Sequence, residues 1–260
     1  SKDLDLSYNR VENFTKELVE KYHVKIFESI EEMLESVDAV LLESVDGRRH
    51  LKEAEPVLKS GKPVFIDKPF TTSYSDAKKI AQLAEKYRCP VFSCSPLRFD
   101  ANISRVRNSG EPGRIFGCDS FSSESRVSAM PGFFWYGIHG IEILFSVMKT
   151  GCQSVEVINS ESADIAVGLW KDGRIGVYRG IKQGEASYGM TVFGEKKVIH
   201  TTYNPDIPMY SMLIKEIMKF FQTKIAPFPI EETLEIVAFM DASLISEKEK
   251  RPVLLEEVTK

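Results

Sequence analysis

The chain has 260 residues, 43% hydrophobic and 28% charged, with 34 Lys and Arg against 38 Asp and Glu for a net charge of −4. Such a composition belongs to a globular protein with a sizeable core, and its acidic balance argues against nucleic acid or an anionic membrane as a main partner. No apolar run approaches the ~20 residues of a membrane span, and no signal-peptide pattern opens the chain.

The first half alternates helix and strand signals. Val11, Phe14, Leu18 and Tyr22 recur at helical spacing, and Val24 to Phe27 follows as a short strand. Ser29-Ile30-Glu31-Glu32 is a capping box that opens a short helix. Ala39 to Leu42 is a buried-strand run, and a helix over about residues 48 to 60 stops at Gly61. Pro63 to Ile66 is the next strand. Thr71-Thr72-Ser73 caps a helix bearing Ala77, Ile80, Leu83, Ala84 and Tyr87, and the strand Pro90 to Cys94 comes after it. Strands separated by helices of this length predict βαβ units and a parallel sheet.

The second half reads differently. A helix over 100 to 108 leads through a turn into a β-rich run from Arg114 to Arg126. An apolar helix, Ile138 to Met148, stops at Gly151. Strands follow at Val155 to Val157, Ile165 to Trp170, Ile175 to Tyr178, Tyr188 to Phe193 and Val198 to Thr202. Lys171-Asp172-Gly173-Arg174 makes a hairpin turn between two of them, so the pattern predicts an antiparallel meander. Helices Met209 to Phe221 and Glu231 to about Glu247 close the chain. The plan is α/β: a Rossmann-like parallel domain over 1–94 and an α+β domain with an open, mainly antiparallel sheet over 95–260.

Cysteines 89, 94, 118 and 152 lack C-x-x-C spacing and read as core thiols of a reducing, cytoplasmic compartment. The four histidines lie far apart, so no metal site is expected. No G-x-G-x-x-G occurs, although a dinucleotide domain normally opens with that phosphate turn between a strand and a helix.

Three segments carry a resemblance. Val37-Asp38-Ala39-Val40 leads to a loop reaching His50; Gly61-Lys62-Pro63-Val64-Phe65-Ile66-Asp67-Lys68-Pro69 ends a strand on an acid, a lysine and a proline; and Gly137-Ile138-His139-Gly140-Ile141-Glu142 opens a helix. Together they resemble the Gfo/Idh/MocA oxidoreductases, named for glucose–fructose oxidoreductase, inositol dehydrogenase and a rhizopine-catabolism protein. Glu43 to Arg48 and Trp135 to Gly140 are similar to a bacterial subgroup of that family. The resemblance runs from about Val11 to the end, and the family's opening β-α unit has no counterpart here. It implies NAD or NADP as cofactor, a sugar or polyol as substrate, and a homo-oligomer joined through the carboxyl-terminal sheet.

The same resemblance implies site residues. Lys68, at the carboxyl edge of its strand, would reach a substrate hydroxyl and the cofactor ribose, with Pro69 fixing its direction through a cis bond; otherwise it is a solvated lysine. His139 would accept the hydroxyl proton, with Glu142 at i, i+3 orienting it or holding a substrate hydroxyl, or else it is a core histidine paired with a helix carboxylate. The family's aspartate four residues before that histidine is Trp135 here, which either stacks on a sugar or packs. Ser44, Asp46 and His50 share the edge with Lys68 and Asp67 and would flank the nicotinamide ribose. Arg98 is either near cofactor and substrate or a domain-boundary ion pair. Arg126, Tyr136, Arg179, Lys182 and Tyr188 are candidate substrate lining. The rival readings are a non-catalytic carbohydrate-binding member and a metal-dependent lyase using His139 and Glu142.

Overall fold

A computed structural model describes the backbone of residues 1–260 and every side chain but that of Ser7. Its elements in order are α1 (Asp5–Tyr8), α2 (Val11–Tyr22), α3 (Ile30–Leu34), β1 (Val40–Leu42), α4 (His50–Ser60), β2 (Val64–Ile66), α5 (Tyr74–Tyr87), β3 (Val91–Phe92), α6 (Ala101–Asn108) and β4 (Ile115–Ser123). There follow α7 (Gly137–Met148), β5 (Cys152–Asn159), β6 (Ala163–Trp170), β7 (Ile175–Ile181), β8 (Gly189–Gly194), β9 (Val198–Thr202), α8 (Met209–Thr223), α9 (Ile230–Glu249), β10 (Val253–Leu254) and α10 (Glu256–Thr259).

The first sheet is parallel in the order β1-β2-β3. β2 and β3 are buried on both faces, as apolar runs without alternation demand, while Leu41 of β1 is exposed. Val64 and Ile66 join the core shared with Val57 and Leu58 of α4 and Ala77 and Ile80 of α5. Phe65 and Phe92 point the other way and pack on Leu213, Ile217 and Phe220 of α8. The crossover helices stop where the sequence says they should. Ser73 caps α5 by accepting from the Asp76 N–H at 3.3 Å, and Gly61 takes the left-handed conformation (φ 71°) that ends α4.

The second sheet has seven strands in the order β10-β5-β6-β7-β4-β8-β9. The hairpin between β6 and β7 forms as expected, with Gly173 at φ 84°. A simple meander does not. β4 inserts between β7 and β8, parallel to the former and antiparallel to the latter. The inner face is covered by α7 and α9, and all twelve residues of α7 are buried.

The strand expected at Val24 to Phe27 is irregular chain instead. It pairs with no neighbour, and without a ladder its backbone groups gain nothing from extension. β1 is accordingly an edge strand, and α2 has no buried residue. All four cysteines are free and buried. No helix is long and apolar enough to cross a membrane. Among the described residues no group of three His, Cys, Asp or Glu is placed to hold a metal.

Candidate active site

β2 ends in Asp67 and Lys68, whose bond to Pro69 is cis. Here the carboxyl edge of the parallel sheet meets the amino-terminal end of α7. The ammonium of Lys68 stands 5.5 Å from the ring centre of Trp135 and 5.8 Å from that of Tyr136. It has no hydrogen-bond or ion-pair partner among the described residues. Burial pushes its pKa down, with Asp67 acting against the shift; burial pushes Asp67 up, opposed by Lys68. A cation over two aromatic faces with its N–H donors unspent is poised for a polar ligand.

His139 lies in the first turn of α7, against Tyr136 (5.7 Å) and Tyr188 (6.1 Å). Its Nδ1 is 2.7 Å from the hydroxyl oxygen of Ser95, which lies in the loop after β3 and caps the 3-10 turn Pro96–Phe99. Burial, aided by the charge of Lys68, drives its pKa down to about 3, so the imidazole is neutral. Tyr188 packs in turn on Tyr203 (5.8 Å), and Tyr210 of α8 lies within electrostatic range of Asp67, Glu43 and Tyr136. A pocket of about 680 Å³ opens beside Trp135 and Tyr136, walled by Ser123, Ser125, Val127 and Ser128 after β4 and by Asp3 to Leu6.

Other expected site residues are tied into the frame. His50 is fully buried, with Nδ1 3.1 Å from the Phe70 carbonyl and Nε2 2.6 Å from the Ser44 carbonyl. It staples the loops after β1 and β2 and has no ring nitrogen left for a ligand. Asp46 is buried under Arg48 and Ser1; burial opposes its ionisation, but their hydrogen bonds hold it at about 2. Arg48 also grips Asp3 through two bonds of 2.8 and 2.9 Å. Ser44 donates to Glu53 at 2.5 Å.

Two expectations are corrected outright. Glu142 does not orient His139. It accepts from Arg98 Nε at 2.6 Å, while Arg98 Nη1 reaches Glu232 at 2.5 Å and the guanidinium lies 4.1 Å from the Phe228 ring. A carboxylate buried beside a guanidinium takes the charged donor over a neutral imidazole, and Arg98 is thereby the boundary ion pair. Arg126 turns away from the pocket to Asp164 (2.8 Å) and Glu247 (2.7 Å). Lys182 goes to Asp164 as well, at 2.9 Å, and Arg179 is exposed on β7. Sequence reasoning missed Ser95, Tyr203 and Tyr210. Only Ser95 carried a signal, a serine directly before proline, which marks a helical cap.

Lys68 suits the nicotinamide end of a dinucleotide, and no glycine-rich turn among the described residues suits its pyrophosphate.

The lysine-bearing parallel sheet thus stands against a helix-covered open sheet. Residues 4–94 match an oxidoreductase family with an NAD-binding Rossmann fold, Gfo/Idh/MocA. Those residues are the part of the chain that is similar to that family. An uncharacterized oxidoreductase of Schizosaccharomyces pombe is 27% identical over 95 residues, which is 36% of this chain and 26% of that protein, so the match spans about a quarter of the relative's length. A probable dehydrogenase from Thermotoga maritima superposes with a TM-score of 0.80 at 22% identity, over 95% of this chain and 90% of its own. An apo scyllo-inositol dehydrogenase from Lactobacillus casei gives 0.81 at 16% identity, over 95% and 88%. At such identities these structures establish the fold.

Proposed function

We propose that the protein is a dehydrogenase that uses NAD or NADP to oxidise a hydroxyl of a sugar or polyol, reversibly, with Lys68 and His139 at its centre. The observation that carries this reading is the unpartnered Lys68 ammonium at the sheet edge, facing two aromatic rings and a neutral imidazole. The scyllo-inositol dehydrogenase with the same fold supports a polyhydroxylated substrate. Residues 1–94 form the cofactor domain in this reading, and 95–260 the substrate domain.

When bound, the nicotinamide accepts hydride from the substrate carbon. The chain's own groups handle the hydroxyl. Lys68 donates to the substrate oxygen and to the cofactor ribose, lowering the cost of charge on that oxygen. Trp135 and Tyr136 offer flat apolar faces to a sugar or cyclitol ring, and His139 Nε2 faces the same space. Ser44 and Asp67 would flank the nicotinamide ribose. The four buried thiols favour a reducing, cytoplasmic setting. The outer face of the second sheet leaves Phe116, Ile158, Leu169, Ile175, Phe193 and Val198 exposed, and a second copy of the chain covers it.

The test is a titration of the protein with NAD(H) and NADP(H), followed by nicotinamide fluorescence, and then a hydride-transfer screen over sugars and cyclitols. Saturable binding weakened by Lys68→Ala is expected; absence of binding overturns the proposal. A second reading, a non-catalytic carbohydrate binder, draws on Trp135 standing where the family has an acid. It predicts sugar binding without hydride transfer.

A further inference from the structure

We infer that Ser95 locks His139 in the tautomer bearing hydrogen on Nε2, which makes His139 a hydrogen-bond donor to the substrate oxygen and leaves the hydroxyl proton to Lys68. This rests on the dehydrogenase reading above, but the tautomer itself does not.

Hydrogen bookkeeping at Ser95 carries the inference. The Ser95 hydroxyl oxygen is fully buried and already accepts the Leu97 N–H at 3.2 Å. Its own hydrogen needs an acceptor, and among the described residues the one within reach is His139 Nδ1, at 2.7 Å. Were Nδ1 to carry the hydrogen instead, the serine oxygen would receive two donors and its hydrogen would be buried unpaired. The penalty for such a group biases the equilibrium by roughly tenfold or more. No carboxylate rescues the opposite tautomer, since Glu142 is held by Arg98 and by the Ser95 backbone N–H. The ring is neutral, so the alternative of two N–H donors is closed. Nδ1 is therefore the acceptor, and Nε2–H is left without a partner among the described residues, on a ring that feels the charge of Lys68.

The chemical consequence is specific. An imidazole with hydrogen on Nε2 and its Nδ1 lone pair engaged has no free lone pair in the cleft and cannot take a proton there. It donates a hydrogen bond to the oxygen that becomes a carbonyl. In the oxidation, the carbon–hydrogen electron pair leaves as hydride to the nicotinamide and the oxygen–hydrogen electron pair becomes the second carbon–oxygen bond. The resting Lys68 ammonium first gives one proton to solvent; as the amine it then takes the hydroxyl proton and becomes ammonium again. Burial, which disfavours the lysine cation, fits that assignment. Ser95 is in this account a positioning residue, acting through His139.

The direct test needs no substrate. Protein labelled with 15N at histidine is read by two-bond proton–nitrogen correlation, which separates the two tautomers, and His139→Gln assigns the signal among the four histidines. Nε2–H with a bare Nδ1 is expected, kept in Ser95→Thr and lost to a mixture in Ser95→Ala. A hydrogen on Nδ1 in the unaltered protein overturns the inference while leaving the dehydrogenase reading standing. Kinetics supply the second arm. His139→Gln retains an N–H donor but no base, so it should keep the rate within about tenfold, whereas His139→Leu should lose about a hundredfold. Equal losses in both variants would return the proton to His139 and refute the proposal. If no variant or unaltered protein transfers hydride, the function has failed and the tautomer is still decided by the spectrum.

Discussion

His139 and Glu142 sit one turn apart on α7 and meet opposite fates. Glu142 closes a triad with Arg98 and Glu232 in which nearly every polar atom is spent; the exception is Arg98 Nη2. His139 and the neighbouring Lys68 keep an N–H edge and an ammonium without partners. Both groups are largely out of water, so burial alone does not mark a site. What separates them is unspent hydrogen-bonding capacity. Charges matched to charges hold the two halves together, while charges left over face a ligand.

The sharpest way to break this comparison is Arg98→Ala. It strands two buried carboxylates and should cost about 3–5 kcal/mol in urea unfolding. A loss below about 1 kcal/mol would mean that the triad behaves like a surface ion pair and that the contrast is false.

A second buried acid extends the comparison. Glu124 accepts from Tyr178 at 2.9 Å, and its other oxygen has no hydrogen-bond partner. Burial drives its pKa up to about 7, against the pull of the Tyr178 hydroxyl and Arg126. The folded chain therefore holds this proton more tightly than the unfolded one. Stability is highest below the unfolded value near 4.5 and falls as pH rises through about 7. The span is worth ~3 kcal/mol. Glu124→Gln keeps an acceptor for Tyr178 and should flatten that decline in unfolding measurements at pH 5 and pH 8; an unchanged slope would assign the decline to other groups.

Gly140 links the frame to the site. A Cβ there would lie 2.4 Å from Tyr178 Cε2. Tyr178 is pinned between Ser122 (3.0 Å) and Glu124 (2.9 Å), so it has little room to give. Gly140→Ala should cost about 1–3 kcal/mol and displace His139 next to it. Thermal unfolding reads the first effect and the His139 spectrum the second. A stable variant with an unmoved spectrum would show that α7 is set by other contacts.

Much of this was legible from local pattern. In the first half α3 and α5 declared themselves by their serine caps and α2 by its spacing, and Lys68 by the abrupt end of an apolar strand. The place of β4 between β7 and β8 was not legible, because order within a sheet depends on pairings far apart in sequence that alternation alone does not specify. The same limit applies to the site. His139 and Glu142 share a helix face, which suggested a pair. Partners reaching them from elsewhere, Ser95 and Arg98 after β3, decided otherwise. Arg126 and His50 looked available because their residue types are useful in sites, and only tertiary contacts show them already spent.

The smallest effect on stability is expected at the site itself. Lys68→Met removes a cation that burial disfavours and that no carboxylate or carbonyl compensates by a direct bond. Its methionine retains an apolar stem against Trp135 and Tyr136. Urea unfolding near pH 7 should show stability unchanged or raised by up to about 1 kcal/mol, while nicotinamide binding and hydride transfer collapse. A loss as large as that of Arg98→Ala would make Lys68 part of the frame and end its claim to the site. Stability held with function lost is the outcome that a lysine kept for a ligand must give, because its free donors contribute nothing to the fold until something binds them.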